Sequence, residues 1–97
     1  MSASGAWLRI APDHPALAGH FPQQPIVPGA LLLDEALHSI DATAREWRIA
    51  SVKFHRIVQP DEPLQLDWQV QSNGELRVEI RSGAALVMSA SASRPGR

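Results

Sequence analysis

Residues 19–34, GHFPQQPIVPGALLLD, decide how the chain is organised. The first half of this stretch is rich in proline and contains His20. Proline fixes φ and lacks an N–H donor, so this half predicts an extended loop rather than a helix or a central strand. The step Pro28-Gly29 then opens a run of alanine and leucine, which are strong helix formers. The run reaches Asp34, a carboxyl fourteen residues after the imidazole.

The run that follows Pro28-Gly29 has the spacing of a buried helix. Its apolar residues recur at i, i+3, i+4 and i+7: Leu33, Ala36, Leu37 and Ile40. The first turns are apolar on nearly every side, which is typical of a helix that lies inside a domain rather than on its surface. We expect this helix to end near Thr43–Glu46.

The second half of the chain changes to a two-residue period, which is typical of strands with one face on a core. Three runs of apolar residues occupy alternate positions: Leu64, Leu66, Trp68 and Val70; Leu76, Val78 and Ile80; Leu86, Met88, Ala90 and Ala92. Two turn signals separate the runs: Asn73-Gly74 and Ser82-Gly83. Two further strands are expected: Trp7–Ile10 and a stretch that begins at Val52. One helix packed on a curved antiparallel sheet is an α+β architecture.

Composition excludes several classes of function. The chain has 97 residues, 44% of them hydrophobic and 20% charged, with a net charge of −1, so residues 1–97 are expected to form one globular domain. Its basic residues are scattered, which argues against a nucleic-acid partner. The lack of cysteine and the spacing of the four histidines argue against a metal site. No signal peptide and no apolar run of about 20 residues is found, so we expect a cytoplasmic protein without a membrane span.

His20 is the first candidate functional residue. Imidazole exchanges a proton near neutral pH, which suits a general base. The neighbouring Phe21-Pro22 and Pro25 stiffen the backbone and restrict where the ring can point. The simpler interpretation is a loop histidine held by a backbone hydrogen bond, and the residues alone leave both open.

Asp34 is the second candidate, because aspartate is a poor residue for a helix interior. It either faces water or pairs with His38 one turn later, or it lies in a dry cleft. A dry cleft favours the protonated carboxyl, which can then donate a proton. Glu35 lies about 100° further round the helix. We expect it to be a solvated or interface charge, and it is the alternative acid.

Gly29 is the third candidate. It is either a turn glycine or a position where a ligand can approach the backbone, so that first-turn N–H groups polarise a carbonyl oxygen. A base, an acid and such a helix end suit the removal of water from a 3-hydroxyacyl thioester. The base takes the C2 proton and the acid protonates the C3 hydroxyl. Of the other histidines, His14 is expected at the surface and His55 on the opposite side of its strand from Phe54.

The pattern G-H-F-P-x-x-P-x-x-P-G-x-L-x-x-D over residues 19–34 resembles the signature of the hot-dog-fold 3-hydroxyacyl-[acyl-carrier-protein] dehydratases of bacterial fatty-acid synthesis. The similarity extends to further segments: Asp13-His14-Pro15, Val52-Lys53-Phe54, Val58 and Pro60-Asp61. The short chain is similar to the compact dehydratase-like proteins of aryl-polyene and related secondary lipid clusters.

The resemblance implies a hot-dog fold, in which a curved antiparallel sheet wraps one central helix, and a homodimer with its sites at the subunit interface. It implies that His20 of one subunit is the base, that Asp34 of the other is the acid, and that the Gly29 N–H holds the thioester oxygen. Further residues are expected to line the substrate site: Phe21, Pro28 and Ala30. The family needs no metal or dissociable cofactor, because the acyl chain arrives on the phosphopantetheine arm of acyl carrier protein.

The chain departs from the family pattern at two positions. Gln23 stands where glycine is usual, and His38 stands where glutamine is common. Asp34 is the version of the acid found in the branch that also isomerises double bonds, whereas the other large branch has glutamate, and one residue does not assign isomerase activity. Two alternatives stay open. One is a hot-dog acyl thioesterase, in which a carboxylate activates water and His20 is not needed. The other is a non-catalytic partner that binds acyl carrier protein.

Overall fold

The computed structural model describes residues 3–17, 26–41, 43 and 46–94. Over these residues the chain forms an α-helix, a short 3-10 helix and five strands. Their bounds in chain order are β1 Ala3–Leu8, the 3-10 helix Pro15–Leu17, α1 Gly29–Ile40, β2 Arg48–Phe54, β3 Leu64–Val70, β4 Leu76–Ser82 and β5 Ala85–Ser93.

The five strands form one antiparallel sheet in the order β1-β3-β4-β5-β2. Consecutive hairpins join β3, β4 and β5, whereas β2 lies at the edge beside β5. Leu66, Ile80 and Met88 face one another across the three central strands, and all three are completely buried. This row marks the face of the sheet that carries the core.

Helix α1 packs on this face. Leu32, Ala36 and Leu37 are buried in the same hydrophobic cluster as the inward residues of the sheet. Burial of one such leucine stabilises the fold by about 1.5–3 kcal/mol relative to its exposure. The predicted α+β architecture, with one helix against an antiparallel sheet, is confirmed.

Both predicted turns are confirmed. Gly74 lies between β3 and β4 with φ 86°, and Gly83 lies between β4 and β5 with φ 59°. These values fall in the left-handed region that glycine tolerates best. In the first turn the Gly74 N–H donates to the Gln71 carbonyl at 2.9 Å, and the Glu75 N–H donates to the Asn73 side chain at 2.9 Å.

Helix α1 ends at Ile40, earlier than the predicted end near Thr43–Glu46. Asp41 has an extended backbone with φ −151°, and its Oδ1 accepts hydrogen bonds from the N–H and the hydroxyl of Thr43. Its Oδ2 lies 2.5 Å from the Arg94 guanidinium. An aspartate that satisfies local amides in this way competes with the helix, so the chain leaves the helix although its composition would let it continue.

Two strand boundaries also differ from the predicted ones. β1 occupies Ala3–Leu8 instead of Trp7–Ile10, because it pairs with β3 along that whole length. β2 begins at Arg48 instead of Val52, because β5 extends to Ser93 and pairs with it from there. Both are edge strands, and β2 is exposed along most of its length, so neither shows a clear apolar alternation in the sequence.

A β-bulge interrupts the pairing of β4 with β5. Met88 lies opposite Ile80 but Leu86 lies opposite Arg81, which leaves Val87 as the extra residue. Val87 and Met88 are consequently both completely buried. The prediction that Leu86 shares a face with Met88 is wrong, because the extra residue of a bulge shifts the two-residue period.

Candidate active site

Part of the predicted site lies outside the described residues. His20, the predicted base, is among these, together with Phe21 and Gln23. The other predicted site residues are described and belong to the start and middle of helix α1: Pro28, Gly29, Ala30 and Asp34.

Helix α1 begins without a side-chain cap among the described residues. Pro28 occupies the N-cap position with φ −59° and ψ 142°. The Leu32 N–H donates to the Pro28 carbonyl at 3.1 Å. The N–H groups of the first turn have no acceptor within the helix and carry the positive end of its dipole. These first-turn N–H groups are the ones that the sequence predicted would polarise a carbonyl oxygen.

The segment before the helix is held against the connection from β2 to β3. Val27 forms an antiparallel bridge with Val58, and its N–H donates to the Val58 carbonyl at 2.8 Å. Both side chains are buried. The position of Pro28 and of the helix start is therefore fixed relative to the sheet.

A cleft with a volume of about 390 Å³ lies at this helix start. Residues 26–29, Leu32 and residues 54–58 line it, and most of their side chains are apolar. The cleft therefore contains Pro28 and Gly29 of the predicted substrate-binding residues. Ala30 and Asp34 lie outside its lining.

The ring of Phe54 packs against Gly29 at the edge of this cleft. A Cβ atom on Gly29 would meet three carbons of the ring at 2.9–3.1 Å. Gly29 thus permits a protein side chain to approach the helix start closely. The approach of a ligand to this backbone stays a prediction.

Asp34 lies on an exposed stripe of helix α1. Ala30 and His38, one turn before and one turn after it, are exposed as well, and the i, i+4 spacing places the three on one side. Within the part of the chain that the structure describes, the Asp34 carboxyl does not pair with His38. A single chain leaves this carboxyl in water, so a dry cleft around it requires a second surface.

Glu35 was expected to be a solvated or interface charge, but it is paired within the chain. Its Oε1 lies 2.8 Å from Nε2 of His14. The two side chains are only 28% and 27% exposed, respectively. His14, which was expected at the surface, is partly buried by this contact, because the segment around it folds over this side of helix α1. Asp34, rather than Glu35, is the open carboxyl of the pair.

Arg56 lines the cleft and is held by Glu62. The guanidinium donates to Oε2 of Glu62 at 3.0 Å, and the Ser82 hydroxyl donates to the same oxygen at 2.6 Å. The Gln59 N–H donates to Oε1 at 3.1 Å. The Ser82 hydrogen bond above all, followed by those from Gln59 and Arg56, keeps the pKa of Glu62 below its usual range, although burial opposes this. The carboxylate therefore stays ionised and orients Arg56.

The remaining polar groups that the structure describes do not assemble a metal site. His55 is exposed, and its Nε2 lies 3.3 Å from the Ser89 hydroxyl. Among the described residues, no group of three histidine or carboxylate side chains is placed to hold a metal ion. No helix in this part of the chain is long and apolar enough to cross a membrane.

Sequence reasoning did not assign Phe54, Arg56 or Glu62 to the site. Phe54 lies within the downstream segment that resembles the dehydratases, so this resemblance could have identified Phe54 as a site residue. The Arg56–Glu62 pair depends on the turn between β2 and β3, where no periodic pattern brings the two side chains together. The cleft itself is built from segments that are about 25–30 residues apart in sequence, such as Gly29 and residues 54–58.

The sequence model of the ApeI-like family, described as ApeI dehydratase, matches residues 3–92. The chain belongs to the ApeI-like dehydratase family.

Two curated relatives carry the name 3-hydroxyacyl-[acyl-carrier-protein] dehydratase FabZ. The protein of Thermomicrobium roseum is 33% identical over 86 residues, which cover 76% of this chain and 55% of the relative. The protein of Rickettsia typhi is 29% identical over 69 residues, which cover 59% of this chain and 48% of the relative. The chain therefore spans about half the length of the curated relatives it matches.

Solved structures with the same fold include dehydratases, hydratases and thioesterases. The dehydratase heterocomplex ApeI:P from Xenorhabdus doucetiae is 23% identical with a TM-score of 0.75, covering 94% of this chain and 85% of that one. The (R)-hydratase from A. caviae is 17% identical with a TM-score of 0.61, and the match covers 97% of this chain and 95% of the hydratase. The fluoroacetyl-CoA thioesterase FlK is 10% identical with a TM-score of 0.65, and the match covers 94% of this chain and 82% of the thioesterase. These likenesses confirm the predicted hot-dog fold.

Proposed function

We propose that the chain is a 3-hydroxyacyl-[acyl-carrier-protein] dehydratase. His20 of one subunit removes a proton from C2 of the acyl chain. Asp34 of the other subunit donates a proton to the C3 hydroxyl, which leaves as water. A double bond forms between C2 and C3, and the product is the trans-2-enoyl thioester. Hydrogen bonds from the start of helix α1 polarise the thioester carbonyl and thereby acidify the C2 proton.

The observation that carries this proposal is the position of Asp34 relative to the uncapped helix start. Asp34 follows Gly29 by five positions, which is about 7.5 Å along the helix axis and about 140° around it. Within one chain the carboxyl therefore lies away from the cleft beside Gly29, and we propose that it meets the C3 hydroxyl of a thioester bound at the helix start of the partner subunit. The cleft of about 390 Å³ beside Gly29 offers space for the arm that carries the thioester. Glu35 is engaged by His14, which favours Asp34 as the acid.

The proposal requires a dimer, because one chain leaves Asp34 exposed. Strand β2 supports such an assembly: it lies at the sheet edge, and most of its residues are exposed. Three large apolar side chains on this strand and just after it are also exposed: Ile49, Phe54 and Ile57. We propose a homodimer formed along β2. The similar ApeI:P structure is titled a heterocomplex, so the partner subunit is to be identified by experiment.

The proposed substrate donor is acyl carrier protein, in line with the names of the curated relatives. Acid–base elimination of water from a thioester needs no redox group and no dissociable cofactor. The proposal therefore adds none, and the phosphopantetheine arm belongs to the substrate.

Mass spectrometry of a 3-hydroxyacyl thioester on acyl carrier protein, incubated with the purified chain, tests the proposal. We expect loss of water and formation of the enoyl thioester. Asp34→Asn and His20→Ala should each reduce kcat by about 10²–10⁴-fold, the usual contribution of a general acid or base. Asp67→Asn is the matched control, because Asp67 pairs with Glu79 in the sheet register on the face away from the helix.

Each alternative has its own product. Free acyl carrier protein thiol without an enoyl product would identify a thioesterase. Absence of turnover on both 3-hydroxyacyl and simple acyl thioesters, with retained binding of the carrier protein, would identify a non-catalytic partner. Either result would overturn the dehydratase proposal.

A further inference from the structure

We propose that Arg56, oriented by Glu62, binds the amide carbonyl nearest the sulfur in the pantetheine arm of the substrate. The inference rests on the proposed function, because it names the part of the thioester that the cleft beside Gly29 recognises. Arg56 is thereby a specificity residue for the thiol portion of the substrate. Glu62 is a positioning residue, because it acts through Arg56 and is not among the residues that line the cleft.

Arg56 and Gly29 lie on the same side of the bridge between Val27 and Val58. The two segments run antiparallel at this bridge. Gly29 follows Val27 by two residues, and Arg56 precedes Val58 by two residues. The contact of the Phe54 ring with Gly29 shows that the end of β2 stays close to the helix start beyond the bridge. A ligand whose carbonyl oxygen lies at the helix start therefore has Arg56 beside it in the same cleft.

Arg56 is the polar side chain that this cleft offers to a ligand. Among the described residues that line the cleft, only His55 and Arg56 have ionisable side chains. Nε2 of His55 lies 3.3 Å from the Ser89 hydroxyl. The rest of the lining is mostly apolar, and in such clefts a small number of placed polar groups orients the ligand. The guanidinium of Arg56 is therefore the group that can select a polar atom of the arm.

Glu62 fixes the guanidinium without using all of its donors. Oε2 of Glu62 lies 3.0 Å from both Nη1 and Nη2 of Arg56. The Ser82 hydroxyl and the Gln59 N–H hold the carboxylate in turn. A guanidinium has five N–H donors, so one carboxylate oxygen leaves several of them for a ligand. The Arg56 side chain is 40% exposed, which keeps these donors accessible.

The charge of the pair indicates the class of acceptor. Arg56 and the ionised Glu62 are neutral together. A phosphate bound at Arg56 would also approach the Glu62 carboxylate, and two negative charges at short distance repel each other. A neutral amide oxygen meets no such repulsion and gains a hydrogen bond from a charged donor.

The length of the arm agrees with this assignment. In a pantetheine thioester the first amide carbonyl lies roughly 6 Å from the thioester carbonyl when the chain is extended. The phosphate lies at the far end of the arm. Because Gly29 and Arg56 line one cleft of about 390 Å³, the nearer amide, rather than the phosphate, is the group that reaches Arg56.

The test compares two substrates that differ in this amide, with the full chain in its native assembly. One is a 3-hydroxyacyl thioester of N-acetylcysteamine, which keeps the amide next to the sulfur. The other carries the same acyl group on pentanethiol, which has the same length without the amide. We expect Arg56→Met to lower kcat/KM for the first substrate by about 10–100-fold, as for loss of a hydrogen bond from a charged group, and to change the second by less than about twofold.

Arg9→Met is the matched control for Arg56→Met. Arg9 pairs with Asp61 at 3.7 Å and lies outside the cleft lining. Methionine keeps the apolar stem of either arginine and removes only the guanidinium. The control should leave kcat/KM unchanged for both substrates. A variant that folds poorly lowers both rates alike, so the ratio of the two kcat/KM values reports on the amide alone.

Glu62→Ala tests the positioning role with the same ratio. It should reduce the preference for the thioester with the amide, and the double variant with Arg56→Met should lose no more than Arg56→Met alone, because residues that act as one unit are not additive. Glu62→Gln keeps an oxygen acceptor and should restore most of the preference. If Glu62→Ala keeps the full preference, the positioning role of Glu62 is overturned.

The remaining outcomes decide the role of Arg56. If Arg56→Met leaves the ratio at the wild-type value, the inference is overturned. A loss seen with phosphopantetheine thioesters but not with pantetheine thioesters would also overturn it, because Arg56 would then bind the phosphate. If the wild-type chain has no dehydratase turnover, the proposed function fails. NMR titration of wild type and Arg56→Met with saturated acyl thioesters of the two thiols then decides whether Arg56 binds the amide.

Discussion

The ring of Phe54 occupies the space that a side chain on residue Gly29 would need. A Cβ atom on Gly29 would lie 2.9 Å from Cζ of Phe54, closer than such atoms approach in real structures. The colliding atoms belong to the far end of the ring, and Phe54 is 47% exposed. In the single chain the ring can therefore move away from Gly29 without a backbone shift, and this movement would change the shape of the cleft.

We expect Gly29→Ala to leave stability nearly unchanged and to reduce turnover. Alanine has less backbone freedom than glycine in the unfolded chain, which stabilises the folded state by about 0.4–1 kcal/mol where the native backbone suits alanine, and this offsets the cost of moving the ring. The displaced ring alters the cleft in which the thioester is proposed to bind, so kcat/KM should fall by about tenfold, equivalent to roughly 1.4 kcal/mol. Chemical denaturation and dehydration kinetics measure the two quantities.

Phe54→Leu provides the matched background for this prediction. The shorter side chain leaves room for a methyl group on residue 29, so adding Gly29→Ala to Phe54→Leu should cause no further loss of kcat/KM. A full tenfold loss in that background would show that the methyl group acts directly on the substrate and not through the ring.

The parts of the fold that the sequence predicted are those with a regular period or a specific turn residue. β3 and β4 show strict alternation, and Gly74 between them adopts the left-handed backbone that an Asn-Gly turn requires. The step Pro28-Gly29 indicated where helix α1 begins. Proline is tolerated at the first positions of a helix, and it disfavours the helical conformation of the residue before it.

The parts that were not predicted depend on contacts between distant residues or on side chains that interrupt a period. Asp41 ends helix α1 by binding Thr43 and Arg94, which helix propensity does not describe. The bulge at Val87 displaces Leu86, because one extra residue is invisible to an alternating pattern until the partner strand is known. The contact of His14 with Glu35 spans 21 residues and joins a loop to a helix.

Glu62 should make stability depend on pH in the acidic range. Its pKa is lowered in the folded chain, chiefly by the Ser82 hydroxyl, so the ionised carboxylate is favoured by folding. A group with a lowered folded-state pKa stabilises the fold above its unfolded-state value, which is about 4.3 for glutamate. This stabilisation is lost as the pH falls from that value through the lower folded-state pKa.

Glu62→Gln isolates this contribution. At pH 7 we expect the variant to be less stable by about 1–2 kcal/mol, because the amide is a weaker acceptor for Arg56 and Ser82 than the carboxylate. At pH 3 the difference between wild type and variant should shrink. Urea denaturation at both pH values measures it, with Glu46→Gln as an exposed control. A difference that stays constant between pH 7 and pH 3 would contradict the lowered pKa.

Ile49 and Val70 offer a direct comparison for the proposed dimer. Both are large apolar residues that are exposed in the single chain, at 38% and 53%. The register places them at opposite ends of one row across the sheet: Val70 opposite Leu76, then Ala92, then Ile49. Ile49 belongs to the edge strand β2 and Val70 to β3, so only Ile49 lies along the proposed interface.

We expect Ile49→Glu to dissociate the dimer and Val70→Glu to leave it intact. An unpaired charge inside an interface costs about 2–5 kcal/mol, so the dissociation constant should rise by about 30- to 5,000-fold. Neither substitution opens the core of one chain, because both side chains already face solvent there. Analytical ultracentrifugation measures the assembly, and dehydration kinetics at matched concentrations should show turnover lost with Ile49→Glu and kept with Val70→Glu. If Ile49→Glu becomes monomeric yet keeps the wild-type kcat, the site is complete within one chain, and Asp34 does not need a partner subunit to act as the acid.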